Sequence, residues 1–156
     1  MRECKIGKPL VKIIYPIFLL LLSNLAFGCE YLYGTWRSSM EDSFEFASGN
    51  SKVTAKQLDF VKQAFGHLRI SFSKEFMVTH ESGEIDVIID EKNYPFKFDY
   101  LKSNVIFKSC ESNKIELEYK NIDGVLERYT ITPVTENRLW IQLESYIERE
   151  YFRRMK

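Results

Sequence analysis

From Leu68 onward the apolar residues of this chain recur at every second position. Leu68, Ile70 and Phe72 alternate with Arg69 and Ser71, and Phe76 and Val78 resume the pattern after Ser73-Lys74-Glu75. That period sets one face of a segment against a core and the other in water, as on a half-buried strand. Residues 85–89 read as a further strand, broken by Glu91-Lys92-Asn93, and Tyr94, Phe96, Phe98 and Tyr100 line one face of the next. Pro95 puts the start of that strand at an edge or bulge, since proline offers no N–H to a ladder. Residues 104–109 continue the series. Ile115, Leu117 and Tyr119 against Glu116, Glu118 and Lys120 form the clearest alternation in the chain. Asp123-Gly124 then supplies a hairpin turn. Residues 126–132, 138–143 and 146–155 complete a set of about eight or nine short strands joined by hairpin-sized turns. The pattern predicts a mainly β protein, an antiparallel up-and-down barrel.

One segment has helical period instead. Thr54 stands as an N-cap with Gln57 three residues on, and Leu58, Val61, Ala64 and Phe65 recur at helical spacing before Gly66. This is a capping box followed by an amphipathic helix and a glycine stop. The stretch from Met40 to Phe46 is ambiguous. Its alternating Phe44 and Phe46 suggest a strand that Ser48-Gly49-Asn50 terminates. The expectation is therefore one short helix near the start.

The N-terminal 28 residues follow a different pattern. Arg2, Lys5, Lys8 and Lys12 precede an apolar run from Ile13 to Leu22, and small residues close it at Ala26 and Gly28. The run is shorter than a membrane span needs, and Pro16 interrupts it. The arrangement predicts an export signal over residues 1–28 and a single domain over residues 29–156. The 22 basic and 22 acidic residues of the whole chain cancel. Four of those bases leave with the leader and only one acid, Glu3, so the remainder is mildly acidic. Nucleic-acid binding requires a concentrated basic face, and only the final residues, Arg149, Arg153, Arg154 and Lys156, approach one.

Cys29 follows the expected cleavage site, and Leu25-Ala26-Phe27-Gly28-Cys29 is a loose match to a bacterial lipobox. Cys29 is either the acceptor of a lipid or the partner of Cys110 in a disulfide, which an oxidising compartment permits. The position right after the cleavage site favours the lipid. The short tether to Trp36 favours the disulfide. The first consideration weighs slightly more, and any membrane attachment is then through Cys29.

Side chains suited to catalysis or metal binding do not converge along the sequence. His80 with Glu81, Glu84 and Asp86 is the nearest approach to a metal site, but neighbours on a strand point to opposite faces, so a solvated turn is the better reading. Glu116 and Glu118 share the polar face of their strand and are expected in solvent. The sequence holds no Gly-rich phosphate loop and no Gly-x-Ser-x-Gly elbow. These observations predict a non-catalytic protein with no cofactor and no metal. Tyr94, Phe96, Phe98 and Tyr100 are the candidate lining of an interior cavity, although side chains commonly fill small barrels completely.

Gly34-Thr35-Trp36 opens the first strand, and Glu150-Tyr151-Phe152-Arg153-Arg154 ends the last. With the export signal and the strand pattern, these residues resemble the lipocalin-like (calycin) barrels, specifically the small exported bacterial ones. The resemblance implies that Trp36 packs across the barrel base against an arginine of the last strand, Arg153 or Arg154, beside Gly34. It also implies a periplasmic protein that binds a small apolar or amphipathic ligand. The alternative is a periplasmic protein-binding module, an inhibitor or immunity-type protein. Such a module would present an exposed patch at residues 40–46 or around residues 81–86.

Overall fold

The computed structural model describes residues 28–81, 83–142 and 149–156. Apart from Gly28, the expected leader lies outside them, and so do Tyr146 to Glu148, where the sequence places the start of the last strand. A 3-10 turn, Cys29–Leu32, leads into β1, Gly34–Ser38. Two helices follow, α1 (Met40–Ser48) and α2 (Ala55–Ala64). The strands after them are β2 (Arg69–Phe72), β3 (Phe76–Thr79), β4 (Gly83–Ile89), β5 (Lys92–Phe98) and β6 (Leu101–Glu111). Then come β7 (Lys114–Lys120), β8 (Leu126–Thr135), β9 (Arg138–Gln142) and β10 (Arg149–Arg154).

Eight of these strands close an antiparallel barrel in the order β1-β10-β9-β8-β7-β6-β3-β2. Trp36 joins its two ends, paired with Arg154 on one side and Ile70 on the other. Closure leaves no open edge for another strand to join. Neighbours in sequence are neighbours in the wall except at one point. β3 pairs directly with β6, and the β4–β5 hairpin leaves the wall between them as a separate two-stranded sheet. The aromatic strand around Tyr94 to Phe98 is thus not part of the barrel, although its alternation matches that of the wall strands.

The segment from Met40 to Phe46 is helical, not extended. Ser39 caps it by accepting from the Asp42 N–H at 3.3 Å, and Glu41 and Asp42 place negative charge in the first turn, where the helix dipole favours it. The helix takes over where β1 stops. Ser43 Oγ accepts the Tyr151 N–H at 2.9 Å, and Ser39 N–H donates to the Tyr151 carbonyl at 2.8 Å. These bonds satisfy β10 beyond the end of its partner strand. On the same helix, Asp42 is buried and takes a two-pronged bond from Arg153 at 2.7 and 2.8 Å. The hydrogen bonds from Arg153 hold its carboxyl below the usual carboxylate range.

The inner face is packed at the base by Trp36, Ile70, Phe72, Met77, Leu117, Ile131, Leu139 and Phe152. Trp36 is fully buried, and its indole N–H donates to the Leu32 carbonyl at 2.8 Å. Arg154 lies over the same ring, 4.4 Å from its centroid. Its guanidinium donates to the carbonyls of Tyr31, Tyr33 and Glu136. Of the two arginines the sequence offered, Arg153 points outward to Asp42 and Arg154 is the one beneath Trp36. Gly34 has φ +124°, and a Cβ there would stand 3.2 Å from Arg154 Nη1. The positive φ favours glycine, and a Cβ would also press on the end of the Arg154 side chain.

A disulfide joins Cys29 to Cys110, with Cα atoms 5.1 Å apart. Strict alternation from the inward Phe107 would turn Ser109 inward and Cys110 out. The register shifts between Phe107 and Ser109, and Cys110 pairs with the buried Ile115. That one-residue bulge restores Cys110 to the inner face, where Cys29 meets it. Of the two alternatives read for Cys29 the structure contains the disulfide, and a sulfur in a disulfide does not at the same time carry a thioether.

Replacing Trp36 with alanine removes the largest base side chain and orphans the Leu32 carbonyl. Denaturant unfolding of the Trp36→Ala variant should show a loss of about 3–5 kcal/mol. The disulfide spans 81 residues. On the chain-entropy model its reduction should lower stability by up to about 4–5 kcal/mol, measured by unfolding with and without reductant.

Candidate functional site

The opposite end of the barrel is not filled by its own side chains. It is covered by α2 and the β4–β5 hairpin, which form a cap with a small core of Ala47, Val61, Ala64, Phe65 and Val87. The capping box at Thr54 and Gln57 is present in full and starts α2. Its Gln63 then acts as a piece of strand. The side-chain amide donates to the Ile88 carbonyl at 2.8 Å and accepts the Ile88 N–H at 2.7 Å. One glutamine thereby pairs the edge of β4 and fixes the hairpin to the helix.

A cavity of about 530 Å³ lies between this cap and the barrel mouth. Phe60, Phe65, Phe96 and Phe98 make its roof. Phe60 meets Phe65 and Phe96 edge-on at 5.9 and 6.0 Å, and Phe96 meets Phe98 at 5.1 Å. Leu68 and Thr79 form part of the wall, and Tyr119, Tyr129, Glu127 and Glu150 make a polar floor. Apolar lining with a few converging polar groups is the usual composition of a small-molecule site.

Glu150 is the most unusual group of the floor. It stands one layer above Phe152 on the inward face of β10 and is 8% exposed. Ser38 Oγ donates to its Oε1 at 2.5 Å, and the same hydroxyl oxygen accepts the Gly66 N–H at 2.8 Å. Its Oε2 makes no hydrogen bond among the described residues. Burial without a counter-charge pushes the Glu150 carboxyl up to about 7, the Ser38 bond opposing this only in part. Tyr119 donates to Glu127 at 2.5 Å, and its ring stands 4.8 Å from that of Tyr129. Burial raises both phenols above their ordinary range.

The sequence-predicted residues divide between the two ends. Gly34, Trp36, Arg154, Cys29 and Cys110 gather at the base, and Arg153 is on the outer wall. Phe96 and Phe98 do line a cavity, but as its roof and from outside the barrel. Tyr94 and Tyr100 stand apart from it and are 51% and 56% exposed. The histidines are separated: His67 lies beside Phe98, and His80 bonds Ser71 at 2.7 Å on the outer wall. Glu118 is not solvated as expected, for Lys108 at 2.9 Å and Arg128 at 2.7 Å cover it. The Met40 to Phe46 segment, offered as a docking patch, buries Asp42 and Ser43 against the barrel. Phe46 lies beneath Arg149, 4.5 Å from its ring centroid.

Glu150 and Tyr129 were missed at the sequence level. The available signal was parity: Glu150, Phe152 and Arg154 share one strand face, so an inward Arg154 requires an inward Glu150. The architecture is a closed, eight-stranded antiparallel barrel consistent with a calycin-like fold, sealed at one end and capped over a cavity at the other. No family model, curated protein or solved structure matches the chain.

Glu150 makes stability depend on pH in a defined direction. Between its ordinary value of 4.5 and about 7, the folded chain keeps a proton that the unfolded chain releases. Its contribution is fully present below pH 4.5 and is lost as pH rises through about 7. Wild type should lose up to about 3 kcal/mol between roughly pH 5 and pH 8 relative to Glu150→Gln, measured by denaturant unfolding. Asp42 acts in a separate window, its contribution lost only as pH falls below 3.8.

Proposed function

We propose that this is an exported, non-catalytic, lipocalin-like barrel that binds a small apolar or amphipathic molecule between its mouth and its cap. The observation that carries the reading is the aromatic-roofed cavity of about 530 Å³ over a polar floor, a volume within the range of small-molecule sites. The leader pattern and the Cys29–Cys110 disulfide support export to an oxidising compartment such as a bacterial periplasm. With the Cys29 sulfur in the disulfide, the reading is of a free periplasmic protein, not an anchored one.

A protein-binding module is the second reading. It is favoured by the tip between β7 and β8, where Ile122, Val125 and Leu126 are 61%, 57% and 58% exposed. Isolated apolar tips of this kind serve as contacts for partners.

The neutral fluorophore N-phenyl-1-naphthylamine separates the two. Saturable one-to-one binding with a blue-shifted emission is expected. Leu68→Trp, which adds bulk inside the cavity, should weaken it by about tenfold or more. Absence of saturable binding, or binding unaffected by Leu68→Trp, would overturn the cavity reading. A stoichiometric partner recovered from the periplasm would then replace it with the second.

A further inference from the structure

We infer that the ligand is an amphipathic cation, an apolar chain bearing an ammonium group that pairs with Glu150 at the floor of the capped cavity. The inference rests on the cavity being the ligand site and adds the chemistry of what fits it. Glu150 is more than nine-tenths buried, one oxygen is held by Ser38, and the other has no partner among the described residues. A buried carboxyl with a free acceptor facing a cavity calls for a donor, and a charged donor gains most from the low-dielectric site.

The surrounding charges select the sign. Glu127 on β8 and Asp99, just past β5, add negative charge to the lining. The two cations that border the cavity are already engaged outside it: Lys97 stands 3.8 Å from Glu84, and Arg128 stands 2.7 Å from Glu118. Among the described residues no base answers Glu150 itself, and the phenol of Tyr129 is a titratable group near it. A fatty acid or other anion would meet Asp99 and Glu127 and would leave the Glu150 acceptor without a donor, while Lys97 and Arg128 already have carboxylate partners. An ammonium at the floor supplies the missing donor and counter-charge, and the phenyl roof accommodates the apolar chain.

Proton balance follows. In the empty protein at about pH 6 Glu150 keeps most of its proton, because burial raises it to about 7. When the ammonium arrives with its own protons, the Glu150 O–H bond breaks, the electron pair stays on the carboxylate, and the proton passes to buffer. Binding should therefore release close to one proton at about pH 6 and almost none at about pH 8.5.

The test is calorimetric titration with octylammonium, octanol and octanoate, in two buffers of different ionisation enthalpy at each pH. Octylammonium should bind at least about tenfold more tightly than octanol, and octanoate should bind most weakly. Glu150→Gln should bring the ratio of octylammonium to octanol affinity towards one and abolish the proton release. The proton count on the wild type needs no variant, so it holds whether or not Glu150→Gln folds normally. Equal or tighter binding of octanol or octanoate overturns the cation assignment while leaving the cavity reading in place. So does binding of octylammonium without proton release at about pH 6. No binding by any of the three overturns both.

Discussion

The guanidinium of Arg154 is the point on which the base depends. It comes from the last residue of the last strand, lies over the indole of the first strand, and donates to carbonyls of the N-terminal turn and of the β8–β9 loop. Those carbonyls have no ladder partner, because they sit where strands have ended. A charged fork of five N–H donors can satisfy several of them at once, and a lysine cannot. The same group thus closes the barrel, ties down the segment ahead of β1 and shields the underside of Trp36. Gly34 is the concession that makes room for it.

With the base sealed in this way, the opposite end is left to a different solution. The chain leaves the wall twice, once after β1 and once after β3, and builds the cover from those two excursions. The cover is held together by its own small apolar core, by aromatic edges and by Gln63, and α1 ties it to the barrel through Asp42 and Ser43. Such an arrangement leaves a cavity of about 530 Å³ between the cover and the mouth.

Much of the barrel was legible because a closed wall imposes period two on every strand, and Ile115-Leu117-Tyr119 shows that period without interruption. Gly34 and Trp36 were legible because their roles need those residue types. Three features were not, each for a physical reason. Phe44 and Phe46 alternate as on a strand, but the Ser39 cap and the acids at Glu41 and Asp42 decide for helix. The strand around Tyr94 to Phe98 alternates in sequence like a wall strand although Phe96 is 39% exposed, and local alternation does not record that the body beside it is α2. Glu150 was passed over because carboxylates are rarely buried. Only the placement of Arg154, three-dimensional knowledge, turns its parity into an inward position.

The hydroxyl of Ser38 sits between two regions that otherwise share little. It gives its proton to Glu150 and takes one from the Gly66 N–H, at the point where the chain leaves α2 for the wall. Hydrogen bonds in series polarise one another, and a carboxylate pulls on a hydroxyl harder than a carboxylic acid does. When Glu150 is ionised, the Ser38 oxygen becomes the better acceptor and the Gly66 amide is gripped more firmly. The charge state of one buried carboxyl therefore bears on how firmly the junction between α2 and the barrel wall is held.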